Sequence, residues 1–228
     1  MDNVKTTVVA GAGSGIGRAV LEKLHQNNHY SLGFSRRGIE HDNLLRSGIN
    51  YKCDFRDEGS IKNAFKNLEK MDSLFITMGD GLFKPFSDLS LQEWEEHLRL
   101  NLTAPFLTLR HAYPYLIRAE NPLVVILSST AGKMGFPESS AYCTTKHGIA
   151  GLAKSIREEW KPRIRVTLVY PGAVYTPIWD GRLGFSKEDM IPESDFAQQL
   201  VSIMESPPTL NLDELYILPR KGILRPDT

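Results

Sequence analysis

The feature that most restricts the fold lies at the start of the chain: the apolar run TTVVA at 6–10, then GAGSGIG with Gly11, Gly13, Gly15 and Gly17, then RAVLEKLHQ with helical spacing. A strand that passes into a helix through glycines is the opening unit of a dinucleotide-binding sheet. The glycines permit a sharp turn and a close approach of backbone to a pyrophosphate, and free amides at the helix start favour its negative charge. Ser14 and Ile16 fall inside the same loop. A tight strand-to-helix turn without a ligand would give the same pattern, so the remaining residues have to decide.

Short β-branched or apolar runs recur at 30–34, 50–53, 74–77, 123–128, 165–170 and 215–218, and helical spacing appears at 16–26, 60–69, 91–118, 141–160 and 195–204. Regular alternation of strand and helix predicts an α/β fold, a Rossmann-type doubly wound parallel sheet of about seven strands with helices on both faces. No repeat, low-complexity segment or charge run suggests a linker, so one dinucleotide-binding domain over 1–228 is expected. Residues 171–191 show no periodicity and follow a strand end, which is where a substrate loop, at about 174–191, would sit.

Composition narrows the partners. Lys plus Arg and Asp plus Glu both total 27, which leaves no electrostatic footprint for nucleic acid or an anionic membrane surface. The expected partner is a small molecule. The N-terminal run is too short and glycine-rich for a signal segment, and no stretch reaches the length of a membrane span, so a cytoplasmic protein is expected. Cys53 and Cys143 form no CxxC pair, and the six histidines show no HExxH spacing, so no metal site is expected.

Cofactor choice turns on the end of the second strand, which reads Phe34, Ser35, Arg36, Arg37. A carboxylate there would accept from ribose hydroxyls, whereas a serine hydroxyl and arginine forks suit a 2′-phosphate. NADP(H) is therefore favoured, with NAD(H) left open. Tyr142 and Lys146, in YCTTK, lie four residues apart and share one helix face. An adjacent ammonium and a cationic nicotinamide would favour the phenolate, making Tyr142 an acid in reduction and a base in oxidation. Ser129 follows the apolar run LVVIL, at the strand end where such sheets bind ligands, and can donate to an oxygen that gains charge.

Taken together, GAGSGIG, CDF with Asp54, LNLTAPF with Asn101, LSSTAG with Ser129, YCTTK, and YPGAVYT with Pro171, Gly172 and Thr176 resemble the classical short-chain dehydrogenase/reductase family, over about residues 4–220. The resemblance implies roles residue by residue. Tyr142 is the acid/base, Lys146 lowers its pKa and holds the nicotinamide ribose, Ser129 donates to the substrate oxygen, and Asn101 anchors a water in a proton relay to the lysine. Asp54 bonds the adenine amino group with the backbone of Phe55 beside it. Pro171, Gly172 and Thr176 lie along the carboxamide. A homodimer or homotetramer pairing through the helices at 91–118 and 141–160 is also implied.

The sequence departs from the family pattern in places. Where the family usually has Asn-Asn-Ala-Gly, this chain has Thr77, Met78, Gly79, Asp80, Gly81; Ala10 replaces a usual Thr, and Ser14 stands where a basic residue often marks NADP use. Thr77 can still offer a hydroxyl and Gly79 a close backbone approach. Tyr175, Ile178, Trp179, Leu183 and Phe185 are available for an apolar substrate pocket. The competing reading is a dinucleotide-binding regulator that kept the fold without turnover; retention of Asn101, Ser129, Tyr142 and Lys146 speaks against it.

Overall fold

The computed structural model describes residues 4–40, 46–182 and 184–224. Its frame is one sheet of seven parallel strands in the order β3-β2-β1-β4-β5-β6-β7. These are β1 Thr7–Ala10, β2 Ser31–Ser35, β3 Ile49–Lys52, β4 Ser73–Ile76, β5 Leu123–Leu127, β6 Arg165–Pro171 and β7 Glu214–Ile217. The central strands TVVA, SLFI and LVVIL are buried along their whole length. That is the pattern of strands covered on both faces. Alternate side chains feed the two cores: Val8 and Ala10 face one, Val9 the other.

The helices are α1 Gly15–Gln26, α2 Glu58–Phe65, α3 Leu91–Leu98, α4 Ala104–Leu116, α5 Ser140–Trp160 and α6 Glu193–Met204. α1 and α6 cover one face through Val20, Leu21, Leu24, Phe196 and Leu200. α2, α4 and α5 cover the other, with Ile61, Phe65, Leu109, Leu116 and Ile149 in its core. α2 begins two residues before the sequence-based estimate because the Asp57 carboxylate accepts from the amides of Gly59 and Ser60.

One expectation is corrected. The helix predicted over 91–118 divides into α3 and α4, joined by a π-helical turn at Arg99–Thr103. A capping box of Ser90 and Glu93 starts α3, and Pro105 occupies the first turn of α4, where its missing N–H costs little. Between them the wider turn carries Asn101. Such turns insert one extra residue and re-aim the chain beyond them.

From the β3 edge the chain returns to β4 on the far side of β1, so the sheet order reverses between β1 and β4. Open α/β sheets bind ligands at the carboxyl ends of the strands beside such a reversal. Among the described residues no helix is long and apolar enough to cross a membrane.

Candidate active site

A cleft of about 580 Å³ opens at the carboxyl ends of the strands. Every catalytic or cofactor-binding residue expected from the sequence lines it except Gly17 and Asn101, which are buried behind its wall. Of the apolar residues expected around the substrate, Ile178, Trp179 and Phe185 line the cleft. Tyr175 does not and is exposed instead, and Leu183 lies outside the described residues.

The glycine loop shows why side chains are excluded. Gly11 has φ +105°, and a Cβ there would stand 2.6 Å from the Met78 amide nitrogen. A Cβ on Gly17 would collide with the Gly11 carbonyl and lie 2.5 Å from Thr77 Oγ1. Glycine at these positions lets α1 pack directly against the ends of β1 and β4. The N-terminus of α1 carries no acidic residue in its first turn, and the Ser14 side chain caps none of its amides. These donors face the cleft, a cradle suited to a diphosphate.

At the end of β2, the Ser35 hydroxyl accepts from Asn50 Nδ2 at 2.9 Å, which leaves its own proton to donate. Arg36 and Arg37 are on the cleft rim, and Arg37 Nη2 reaches the Gly13 carbonyl at 3.4 Å. Asp54 Oδ1 accepts from the Arg56 amide at 3.0 Å, and the Asp54 amide donates to Ser60 Oγ at 2.9 Å, so the loop after β3 is held in place. Thr77 lines the cleft as well; its Oγ1 donates to the Ala10 carbonyl at 2.9 Å, tying the end of β4 to β1, and retains its acceptor lone pairs.

The opposite half of the cleft holds the residues expected to be catalytic. Tyr142 and Lys146 project from one face of α5, with Lys146 Nζ 5.6 Å from the centre of the phenol ring. Ser129, two residues beyond β5, accepts from the Ala131 amide at 3.1 Å and stands near enough to the phenol to act on it. Burial pushes the phenol above its ordinary range, while Ser129 and the positive charge of Arg182 pull the other way. The lysine is 7% exposed; its ammonium donates to the Leu127 carbonyl at 3.3 Å and is pushed down to about 8 by burial.

Behind them, Asn101 Oδ1 accepts from the Asp80 amide at 2.8 Å, and Asn101 Nδ2 donates to a ring nitrogen of His97 at 3.0 Å. Gly79, at φ +156°, admits this approach, since a Cβ there would stand 2.7 Å from Asn101 Oδ1 and 3.5 Å from Lys146 Nζ. His97 is itself buried, and its pKa falls to about 4 through desolvation and the nearby Lys146 charge. Sequence reading missed His97, whose only signal is its place one turn before Asn101. It also missed Phe83, Glu138 and Arg182, which come from three separate loops and line the substrate end.

The profile of the short chain dehydrogenase family matches residues 5–183, most of the chain. This protein is a short-chain dehydrogenase. It is 28% identical over 209 residues to the D-threitol dehydrogenase of Mycolicibacterium smegmatis, covering 85% of this chain and 80% of that one. It is 30% identical over 185 residues to the 3-oxoacyl-acyl-carrier-protein reductase of Aquifex aeolicus, covering 75% of each. The fold is shared with the alcohol dehydrogenase of Thermococcus sibiricus solved with 5-hydroxy-NADP, at a TM-score of 0.83 and 22% identity over 98% of this chain and 99% of that one. The short-chain dehydrogenase is thus an oxidoreductase acting between alcohol and carbonyl groups.

Proposed function

We propose that the protein is an NADP(H)-dependent carbonyl reductase in which Tyr142 is the proton donor. The observation that carries this reading is the convergence of Tyr142, Ser129 and Lys146 at the substrate end of the same cleft whose other end is the glycine loop. Held by the glycine loop, Ser35, Arg36 and Arg37, bound NADPH would supply the hydride for a carbonyl carbon. Tyr142 then gives its proton to the carbonyl oxygen, while the Ser129 hydroxyl donates to that oxygen and holds it in line. Lys146 binds the nicotinamide ribose and, with Asn101 behind it, returns a proton towards Tyr142. The balance is one carbonyl, one NADPH and one proton consumed for one alcohol and one NADP⁺ formed.

Burial keeps Tyr142 protonated in the form that a reduction requires. The cofactor end supports NADP(H) through Ser35, Arg36 and Arg37, three donors with no carboxylate beside them at the end of β2. The modified NADP bound to the Thermococcus sibiricus enzyme agrees with this. Replacing Arg36 and Arg37 together by Ala is expected to weaken NADPH by about 10- to 100-fold, the loss typical of charge-assisted hydrogen bonds, and NADH far less. Fluorescence titration with both cofactors checks this; equal weakening would mean that the arginines do not read the 2′-phosphate.

A further inference from the structure

The substrate loop carries a cation that the proton-transfer chemistry does not use. Arg182 projects back into the cleft, with its guanidinium carbon 3.8 Å from the centre of the Phe83 ring, 5.0 Å from Trp179 and 5.1 Å from Phe185. Phe83 in turn packs on Tyr142 with ring centres 5.4 Å apart. Aromatic rings therefore fix the guanidinium on the wall next to the proton donor, close enough for its charge to act on the phenol. Among the described residues no carboxylate forms an ion pair with it. Glu138, on the loop before α5 with a left-handed φ of 56°, acts on it only from a distance. The cation is half-buried and carries a desolvation penalty that an anionic ligand would relieve.

We propose that Arg182 is the subsite for a carboxylate on the substrate, so that the preferred substrates are oxo acids rather than neutral carbonyl compounds. This rests on the reductase reading above. A planar guanidinium pinned by rings is pre-organised for two parallel hydrogen bonds to a carboxylate. A dianionic group fits less well, since one cation stands there and Glu138 already opposes further negative charge. The walls contributed by Phe83, Trp179 and Phe185 suit the carbon chain between carboxylate and carbonyl. Ser129 and Tyr142 would hold the carbonyl oxygen while Arg182 holds the far end, fixing the carbon for hydride transfer.

The test pairs each acid with its own ester, so that only the charge changes: pyruvate, acetoacetate and levulinate against their ethyl esters, with NADPH and the full-length protein. The wild type is expected to prefer at least one acid by about 10-fold or more in kcat/KM, chiefly through KM. Arg182→Met should lower that acid-to-ester ratio by about 10- to 100-fold, as expected for loss of a hydrogen-bonded charge. Arg182→Lys should fall between the two. An ester preference in the wild type, or a ratio unmoved by Arg182→Met, would overturn the subsite while leaving the reductase reading intact; an equal loss for acid and ester would overturn it too, making Arg182 a loop clamp only. If no carbonyl compound is turned over, the reductase reading fails, and calorimetric titration of the NADPH-loaded protein decides the subsite. Binding of an acid that is lost in Arg182→Met supports it, and no binding sinks it.

Discussion

His97, Asn101 and Lys146 are packed together behind Gly79, and burial acts on the two titratable members in the same direction, against their charged forms. The imidazole is held neutral well below its ordinary 6.5, at about 4, which keeps a ring nitrogen able to accept from the Asn101 amide. Because the unfolded chain takes up this proton near 6.5 and the folded one only near 4, the stability it contributes is complete above the first value and is lost as pH falls towards the second. Replacing His97 by Gln should therefore flatten the loss of stability between those values by on the order of 3 kcal/mol, read by denaturant unfolding of both proteins across pH. Equal slopes would show that His97 titrates normally. Tyr142, Lys146 and Ser129 could be singled out in the sequence only through their combination with the other motifs, since each alone reads as a common helix or turn residue; the structure brings all three to one cleft. Arg182 and Phe83 could not be singled out, since they meet only when two loops far apart in sequence fold over the same pocket.

Elements place these residues more finely than hydrophobic periodicity can say. The spacing over 91–118 reads as one helix, and only the π-helical turn at Arg99–Thr103, which leaves no mark in periodicity, sets Asn101 against the Asp80 amide. The glycine loop was more transparent, because glycine is the one residue that meets its steric demands. That demand gives a test at this scale: Gly17→Ala places a methyl against the Gly11 carbonyl and Thr77, so α1 has to lift from the sheet. We expect a loss of about 1–3 kcal/mol in stability together with weaker NADPH binding, measured by thermal unfolding with and without cofactor. Unchanged affinity would mean that the approach of α1 to the sheet does not shape the cradle.

For the whole molecule, the parallel sheet and its order follow from the alternation of strand and helix, and the cleft follows from the reversal of that order between β1 and β4. Assembly is less legible, because a monomer's surface must expose some apolar groups in any case. Along α4, Phe106 and Tyr113 are exposed, with Ile117 just beyond the helix end, and Tyr113 packs 5.3 Å from the Trp160 ring at the end of α5. This is the surface through which the family resemblance implies pairing with a second copy. Phe106→Glu combined with Tyr113→Glu should yield a monomer by light scattering where the parent is a dimer or tetramer; an unchanged mass would place any interface elsewhere. The cleft as proposed joins cofactor binding to proton transfer through a single phenol. The most direct measurement of this is NADPH oxidation across aldehydes, ketones, quinones and oxo acids by the wild type and Tyr142→Phe, with NADPH affinity measured for both. Equal affinity and a fall in turnover of about 100- to 10,000-fold in the variant are expected; turnover that survives the loss of that hydroxyl would rule out Tyr142 as the proton donor.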